Sequence, residues 1–373
     1  MKTEVITCLD GFNALREDWN SLVPVDDGND LPLSWIWFDA WLQGFWRSVT
    51  RADQRARLHI LVVRDDQGIA AIAPMAIHER KYHGFRVLMT HSLANGSTPY
   101  WDLVLRSGLD EPTVESICSA VFKAAPTAVT LLSRLRDSSP VRRYLARLQR
   151  NAWNDLNLIR TPLVHCSGTL EAHLGSLSRK YRRGLRKKLK TFDAAADTRV
   201  ERHRLDSSHD PLFDQMVAVS RRSWKSAHGS DLGSHADHRQ FLSAMVDRLG
   251  PLDRAEIWIA YRGDEAIACE LHMRSGRVTF PIQADYCESA RALSPGSVVE
   301  HHALAAAFED PVLDVYDSCA ADYWYLQRLT DSYREAHDTM IFSSDPRARL
   351  IQLAEFGAKP VLIWLRRAFS RAS

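Results

Sequence analysis

The sequence predicts an α/β chain built as two tandem units, and three observations carry that reading. A length of 373 residues exceeds a single compact core, because domains cluster near ~100 to 150 residues. An element order that opens on a strand hairpin and continues with alternating helices and strands occurs before residue 166 and recurs after it, without any sequence repeat between the halves. The last third, Ile257 to Val315, then reads as three short strands leading through Ser294-Pro295-Gly296-Ser297 into a helix. The boundary falls near Cys166-Ser167-Gly168, giving units of residues 1–166 and 167–373.

In the first unit, Trp35, Phe38, Leu42 and Phe45 recur at helical spacing between Leu33 and Trp46, with Trp37 and Trp41 widening the apolar face. Aromatics so placed read as core, the alternative being a ligand-stacking face. Strands follow at Leu58 to Arg64 and Ile69 to Ala76 around the turn Asp65-Asp66-Gln67-Gly68. Further strands are expected at Phe85 to Thr90, Tyr100 to Leu105, Ala128 to Leu132 and Leu156 to Val164, with helices at Glu111 to Ala124 and Pro140 to Gln149.

The second unit opens with a helix from Thr169 to Phe192, a strand at Thr198 to Arg204, and helices between Pro211 and Leu249. Strands at Glu256 to Tyr261, Ala266 to Met273 and Arg277 to Asp285 are joined by turns at Arg262-Gly263-Asp264-Glu265 and Arg274-Ser275-Gly276. Ala268, Glu270 and His272 alternate with Cys269, Leu271 and Met273, and Val278, Phe280 and Ile282 alternate with Thr279, Gln283 and Asp285. The two polar faces are expected to line one cleft. A helix from Gly296 to Phe308, a strand from Val312 to Asp317 and a helix around Tyr323 complete the unit.

Composition narrows the class. Hydrophobic content of 45%, 25% charged residues and a net charge of +2 describe a soluble globular chain with no global pull toward nucleic acid. The first eight residues lack the apolar run of a signal peptide, and no window reaches the ~18 apolar residues of a membrane span, so a cytoplasmic protein is expected. The six cysteines are scattered without a C-x-x-C pair, and His203, His209, His228, His235 and His238 lie in polar sequence without metal-ligand spacing. Free thiols, solvated histidines and no metal are the expectation.

The ordered series Ser223-Trp224, Gly263-Asp264-Glu265-Ala266-Ile267-Ala268, Asp285-Tyr286, Ser294-Pro295-Gly296 and Asp314 resembles the GNAT acyltransferase superfamily. Within it, the series resembles the CelD/BcsL-like proteins, relatives of the Fem-type aminoacyltransferases. The basic helix from Leu177 to Leu189, Trp41 and the strand Ala71-Ile72-Ala73-Pro74-Met75 belong to the same pattern, which runs from about Trp19 to about Tyr325. The resemblance implies two tandem GNAT-like domains, each a mixed, mostly antiparallel sheet flanked by helices, the first degenerate and the second holding the acyl donor. It implies an acyltransferase with acyl-CoA as co-substrate.

A GNAT fold holds the pyrophosphate of coenzyme A in a loop of pattern Q/R-x-x-G-x-G/A at a helix N-terminus, where free N–H groups and the helix dipole meet the anion. Arg291, Ser294, Gly296 and Ser297 occupy that stretch here, with Ser294 in place of the middle glycine and Pro295 lacking an N–H. Read without the resemblance, the same residues make an ordinary helix start. Eight of the twelve residues from Arg179 to Lys190 are Lys or Arg and none is acidic. Arg182, Arg183 and Arg186 on that helix are therefore candidates for an anionic neighbour: a coenzyme phosphate, a polyanionic substrate, tRNA or anionic lipid.

Acyl transfer to an amine needs a base, an oxyanion donor and a proton for the leaving thiolate. Asp285, Glu270 and His272 are the carboxylate and imidazole groups of the two strands, and Asp285 is the first candidate for the base. Tyr323 and Tyr325 lie where GNAT enzymes often keep a tyrosine acid. Trp224, Gln283 and Asp317 are candidates for the acceptor side, although the acidic Asp314 to Asp317 stretch serves equally as a cap for the helix that follows. The sequence thus leads to an N-acyltransferase using acyl-CoA and a small-molecule or peptide amine. It leaves open an aminoacyl-tRNA-dependent amide-forming enzyme, and a non-catalytic module in surface-polysaccharide production.

Overall fold

The computed structural model describes residues 1–26, 28–82, 85–149, 152–319 and 328–358. The first half contains β1 (Lys2–Ile6), α1 (Leu9–Ala14), α2 (Arg16–Leu22), α3 (Trp35–Trp41), α4 (Arg47–Ala52), β2 (Arg57–Leu58), β3 (Ile60–Asp65), β4 (Gly68–Ala73), β5 (Met75–Tyr82), β6 (Phe85–Ser92), β7 (Val104–Leu105), α5 (Glu111–Lys123), β8 (Val129–Arg136), α6 (Pro140–Arg147) and β9 (Trp153–His165). The second contains α7 (Leu170–Ser176), α8 (Arg179–Asp193), β10 (Thr198–Arg204), α9 (Pro211–Arg221), α10 (Ala236–Leu249), β11 (Ala255–Arg262), β12 (Glu265–Ser275), β13 (Val278–Tyr286), α11 (Pro295–Glu309), β14 (Val315–Asp317), β15 (Ser332–Phe342) and α12 (Pro346–Gln352).

Two sheets carry the fold: β1-β3-β4-β7, and an eleven-stranded sheet in the order β10-β11-β12-β13-β14-β9-β15-β8-β6-β5-β2. The long sheet is mostly antiparallel, with parallel pairs at β13–β14 and β6–β8. The fold is α/β, a mixed sheet flanked by helices, as the sequence predicts. Strand β15 lies between β9 and β8, so the end of the chain completes the strands of the first half.

Several elements differ from the expectation. The helix expected from Thr169 to Phe192 is two helices, because Leu177 turns extended and the Ser178 hydroxyl accepts the N–H of Tyr181 as the cap of α8. The strand expected over Val312 to Asp317 is confined to Val315–Asp317, and β1 and β15 are additional. The helix expected around Tyr323 lies outside the described residues. The Trp-rich helix forms, passing through a π turn at Leu42–Trp46 into α4, and Trp35, Trp37 and Trp41 are buried. They pack within the main hydrophobic cluster, which settles these aromatics as core.

The polar alternation on β12 and β13 does not make one cleft. Cys269 pairs with Asp285 and Leu271 with Gln283, so both polar residues of β13 share a face with the apolar residues of β12. Glu270 and His272 point to the other face. A bulge between Leu271 and His272 shifts the register by one, so that His272 pairs with Pro281 and Arg274 with Thr279. Thr279 thereby moves to the Glu270 face, where its hydroxyl lies 3.4 Å from His272 Nδ1.

Candidate active site

Strand β13 keeps β12 along its length but meets β14 only at Val278–Val315 and Thr279–Tyr316. Beyond Thr279 the two parallel strands separate, and among the described residues no strand pairs that edge of β13. Past Thr279, the backbone groups of β13 that turn away from β12 have no strand partner among the described residues and face the split, apart from the Ala284 carbonyl, which Lys225 meets.

A 3-10 turn at Glu288–Leu293 follows β13 and ends on Ser294, whose φ of 51° and ψ of 44° are left-handed. A non-glycine residue holds this conformation at a cost of roughly 1–2 kcal/mol, and it does so where the phosphate-loop pattern has its middle glycine. Helix α11 then starts at Pro295, so the N–H groups of Gly296 and Ser297 have no carbonyl one turn back. Lys188 of α8 donates to Ser297 Oγ at 2.8 Å, placing an ammonium at the mouth of this turn. Arg291 is strongly exposed and lies 3.9 Å from Glu288, at the rim. Sequence reasoning named Arg291, Ser294, Gly296 and Ser297 but missed Lys188, since nothing local distinguishes it from the other seven cations of its helix.

On the Asp285 face, the carboxylate of Asp285 is buried, with Lys225 Nζ 2.8 Å from Oδ1 and the Gln283 side-chain amide donating to Oδ2. Lys225 also donates to the carbonyl of Ala284 at 3.0 Å. It belongs to a 3-10 turn at Trp224–His228, whose Trp224 is 51% exposed and meets His228 edge-on. The structure therefore joins Trp224, Gln283 and Asp285, and adds Lys225, which stands sixty residues from its partner with no periodic signal to link them.

Glu270 sits apart, on the face covered by α11. Its Oε2 lies 3.0 Å from His272 Nε2 and accepts the Tyr316 hydroxyl at 3.3 Å. Above it, burial and the Glu270 charge push the Glu300 carboxyl of α11 up to about 8, while Lys188 pulls the other way. A raised carboxyl keeps its proton in the folded chain and loses it in the unfolded chain near its ordinary value. Its contribution to stability is therefore full below ~pH 4.3 and declines as pH rises toward about 8. Replacing Glu300 with Gln should flatten the fall of Tm across that window; a Tm–pH profile unchanged from wild type would contradict it.

Asp317, the remaining acceptor-side candidate, is buried in an ion pair with Arg334 of β15 and accepts the Cys319 N–H at 3.0 Å. Arg334 lies 4.4 Å from the centre of the Tyr100 ring and Arg136 4.9 Å from it, with Arg136 also paired to Asp30 and Asp102. Asp317 thus ties β14 to β15 and, through Arg334, to Tyr100 of the first half. Asp314 pairs with Arg277 on the surface. Tyr323 and Tyr325 lie outside the described residues. Arg183 is exposed, while Arg182 and Arg186 line a groove beside α11.

Burial pushes the thiols of Cys118 and Cys166 up to about 12 and about 11, and raises Cys269, Cys287 and Cys319 as well. These five are protonated at neutral pH and poor nucleophiles. His238, expected to be solvated, is half-buried against Phe45 and Phe241, and burial lowers it to about 4.

A split pair of parallel strands with a left-handed turn and a helix N-terminus behind it coincides with what the family comparison finds, since residues 179–327 match the model of the acetyltransferase (GNAT) domain. A GNAT acyltransferase domain spans residues 179–327. No curated protein matches the sequence. Among solved structures, FemX is similar at a TM-score of 0.54 and 11% identity, over 94% of this chain and 100% of its own. The C-terminal domain of a putative lysylphosphatidylglycerol synthetase from Agrobacterium fabrum gives 0.52 at 10% identity, covering 93% and 96%. A conserved protein of unknown function from Bacteroides thetaiotaomicron gives 0.51 at 8%, covering 91% and 100%. At such identities the likeness is one of fold, and it covers nearly the whole chain.

Proposed function

We propose that the chain is an N-acyltransferase that moves an acyl group from acyl-CoA to an amine by direct attack in a ternary complex. The observation that carries this reading is the β13–β14 split ending on the Ser294 turn, with Lys188 at its mouth. In this reading the pyrophosphate meets the N–H groups of Gly296 and Ser297 together with Lys188, and the thioester lies along the free edge of β13. The donor belongs to the unit of residues 167–373, and the unit of residues 1–166 shapes the acceptor side.

The acceptor, a small-molecule or peptide amine, enters on the Asp285 face, with Trp224 and Gln283 as its walls. An ammonium group is already held there, that of Lys225. The acceptor ammonium displaces it and gives one proton to Asp285, and the resulting amine attacks the thioester carbonyl; as the tetrahedral adduct collapses the C–S bond breaks, and the second proton of the nitrogen passes to the departing coenzyme thiolate. A thiol with a pKa near ~8.5 is an adequate leaving group, which agrees with the absence of an activated thiol among the five shifted cysteines.

A rival donor, aminoacyl-tRNA, is favoured by one observation: among the described residues, none of the eight cations of α8 has a carboxylate within ion-pair distance. Calorimetry on the full chain with acetyl-CoA, longer acyl-CoAs and charged tRNA separates the two. Saturable binding of an acyl-CoA, abolished by excess coenzyme A and indifferent to ribonuclease, is expected. Binding of charged tRNA with no heat from any acyl-CoA would transfer the assignment to the Fem-type reaction, and no binding of either would favour a non-catalytic module.

A further inference from the structure

Helices α7, α8 and α11 enclose a groove of about 460 Å³ whose walls are Leu170, Leu174, Leu185 and Leu189. Arg182, Arg186 and His301 supply its polar side, with Glu171 as the one carboxylate of its lining, so two arginines face a single acid. Two buried polar atoms at this site, Arg182 Nε and His301 Nδ1, have no hydrogen-bond partner, and an orphaned buried donor is costly unless a ligand meets it. The groove lies on the flank of α11 whereas Lys188, farther along α8, faces the first turn of α11. The two ends of the basic helix therefore serve different places.

We infer that this groove binds one acidic lipid of a membrane surface, with a headgroup phosphate on Arg182 and Arg186 and an acyl chain along the four leucines. Charge complementarity argues for an anion: eight cations on one helix, unpaired to carboxylates among the described residues, on a chain of net charge only +2. Basic clusters of this size on an amphipathic helix bind anionic lipid surfaces, each cation contributing when it lies near the surface. The leucine walls select lipid over nucleic acid. A nucleic-acid strand is held by phosphates and by aromatics on which bases stack, and the one aromatic on the charged part of α8, Tyr181, is half-buried. Leucines beside the cations are matched instead by a hydrocarbon chain.

Gly175 provides a test that leaves charge alone, since it lines the groove and a side chain added there meets open space. The full chain is floated with vesicles of phosphatidylcholine alone and of phosphatidylcholine mixed with phosphatidylserine, with tRNA as a competitor. Wild type should partition to the mixed vesicles only. Gly175→Trp should weaken partition about fivefold at unchanged charge, and Arg182→Gln with Arg186→Gln about thirtyfold, as loss of two surface cations implies. Circular dichroism melts identical to wild type show that both variants are folded; an unfolded Trp variant is replaced by Gly175→Leu. Equal partition of the groove-filled variant and wild type would overturn the proposal in favour of plain charge adsorption. Displacement from vesicles by tRNA, with tRNA affinity lost in the double variant, would overturn it in favour of nucleic acid.

Discussion

Replacing Gly296 with Asp should abolish acyl-CoA binding while leaving the chain folded. The fold survives because a Cβ at Gly296 meets nothing nearer than Tyr286 Cδ1 at 3.5 Å, an ordinary van der Waals contact. Binding fails because the carboxylate stands among the N–H groups proposed to meet the pyrophosphate. Two like charges ~4 Å apart at an effective dielectric of ~20 repel by about 4 kcal/mol, or roughly three decades of affinity. Gly296→Ala, which adds the methyl without the charge, should lose far less. Calorimetric titration of both variants with the same acyl-CoA decides the matter: an undiminished affinity in folded Gly296→Asp would remove the donor from this turn.

The reach of the sequence is clearest along β12 and β13. Their existence, their length and the turn at Gly263 follow from alternation and from turn chemistry, and Gly263 indeed has a φ of 58°. Their relative register does not follow, because it depends on which residues face each other across the ladder and on a bulge that no local pattern announces. The single cleft expected from two polar faces therefore became two separate polar sites, one around Asp285 and one around Glu270.

The same reason explains the other omissions. Strand β15 was invisible because Arg334, Asp338 and Thr339 interrupt its alternation, and their hydrogen bonds to Asp317, Asn157 and Asp155 exist only once distant strands meet. Asp317 looked available for a ligand when its arginine could not be seen. The break before α8, by contrast, was legible in Ser178, whose hydroxyl caps the helix, and the continuous apolar spacing across Leu174, Leu177 and Tyr181 masked it.

The Asp285 assignment leads to the second large effect. Asp285→Asn should lower turnover by about 10² to 10⁴, the usual worth of a positioned general base, while acyl-CoA affinity stays within about twofold because the donor turn is untouched. The buried ion pair complicates a naive reading, since removing one partner strands Lys225, and an uncompensated charge costs stability in its own right. Lys225 is 24% exposed at its side chain, so its ammonium can reach water, and the single variant should remain folded. The double variant, Asp285→Asn with Lys225→Met, removes both charges and separates the two causes. If Asp285 takes the acceptor's proton, turnover stays low in the double variant although the melting temperature recovers. If Asp285 only holds Lys225 in place, restoring stability restores turnover, and Lys225→Met alone should then be as damaging as Asp285→Asn. Under the proposed mechanism, Lys225→Met instead vacates the ammonium position beside Asp285, so the Michaelis constant for the acceptor should fall or hold while turnover persists.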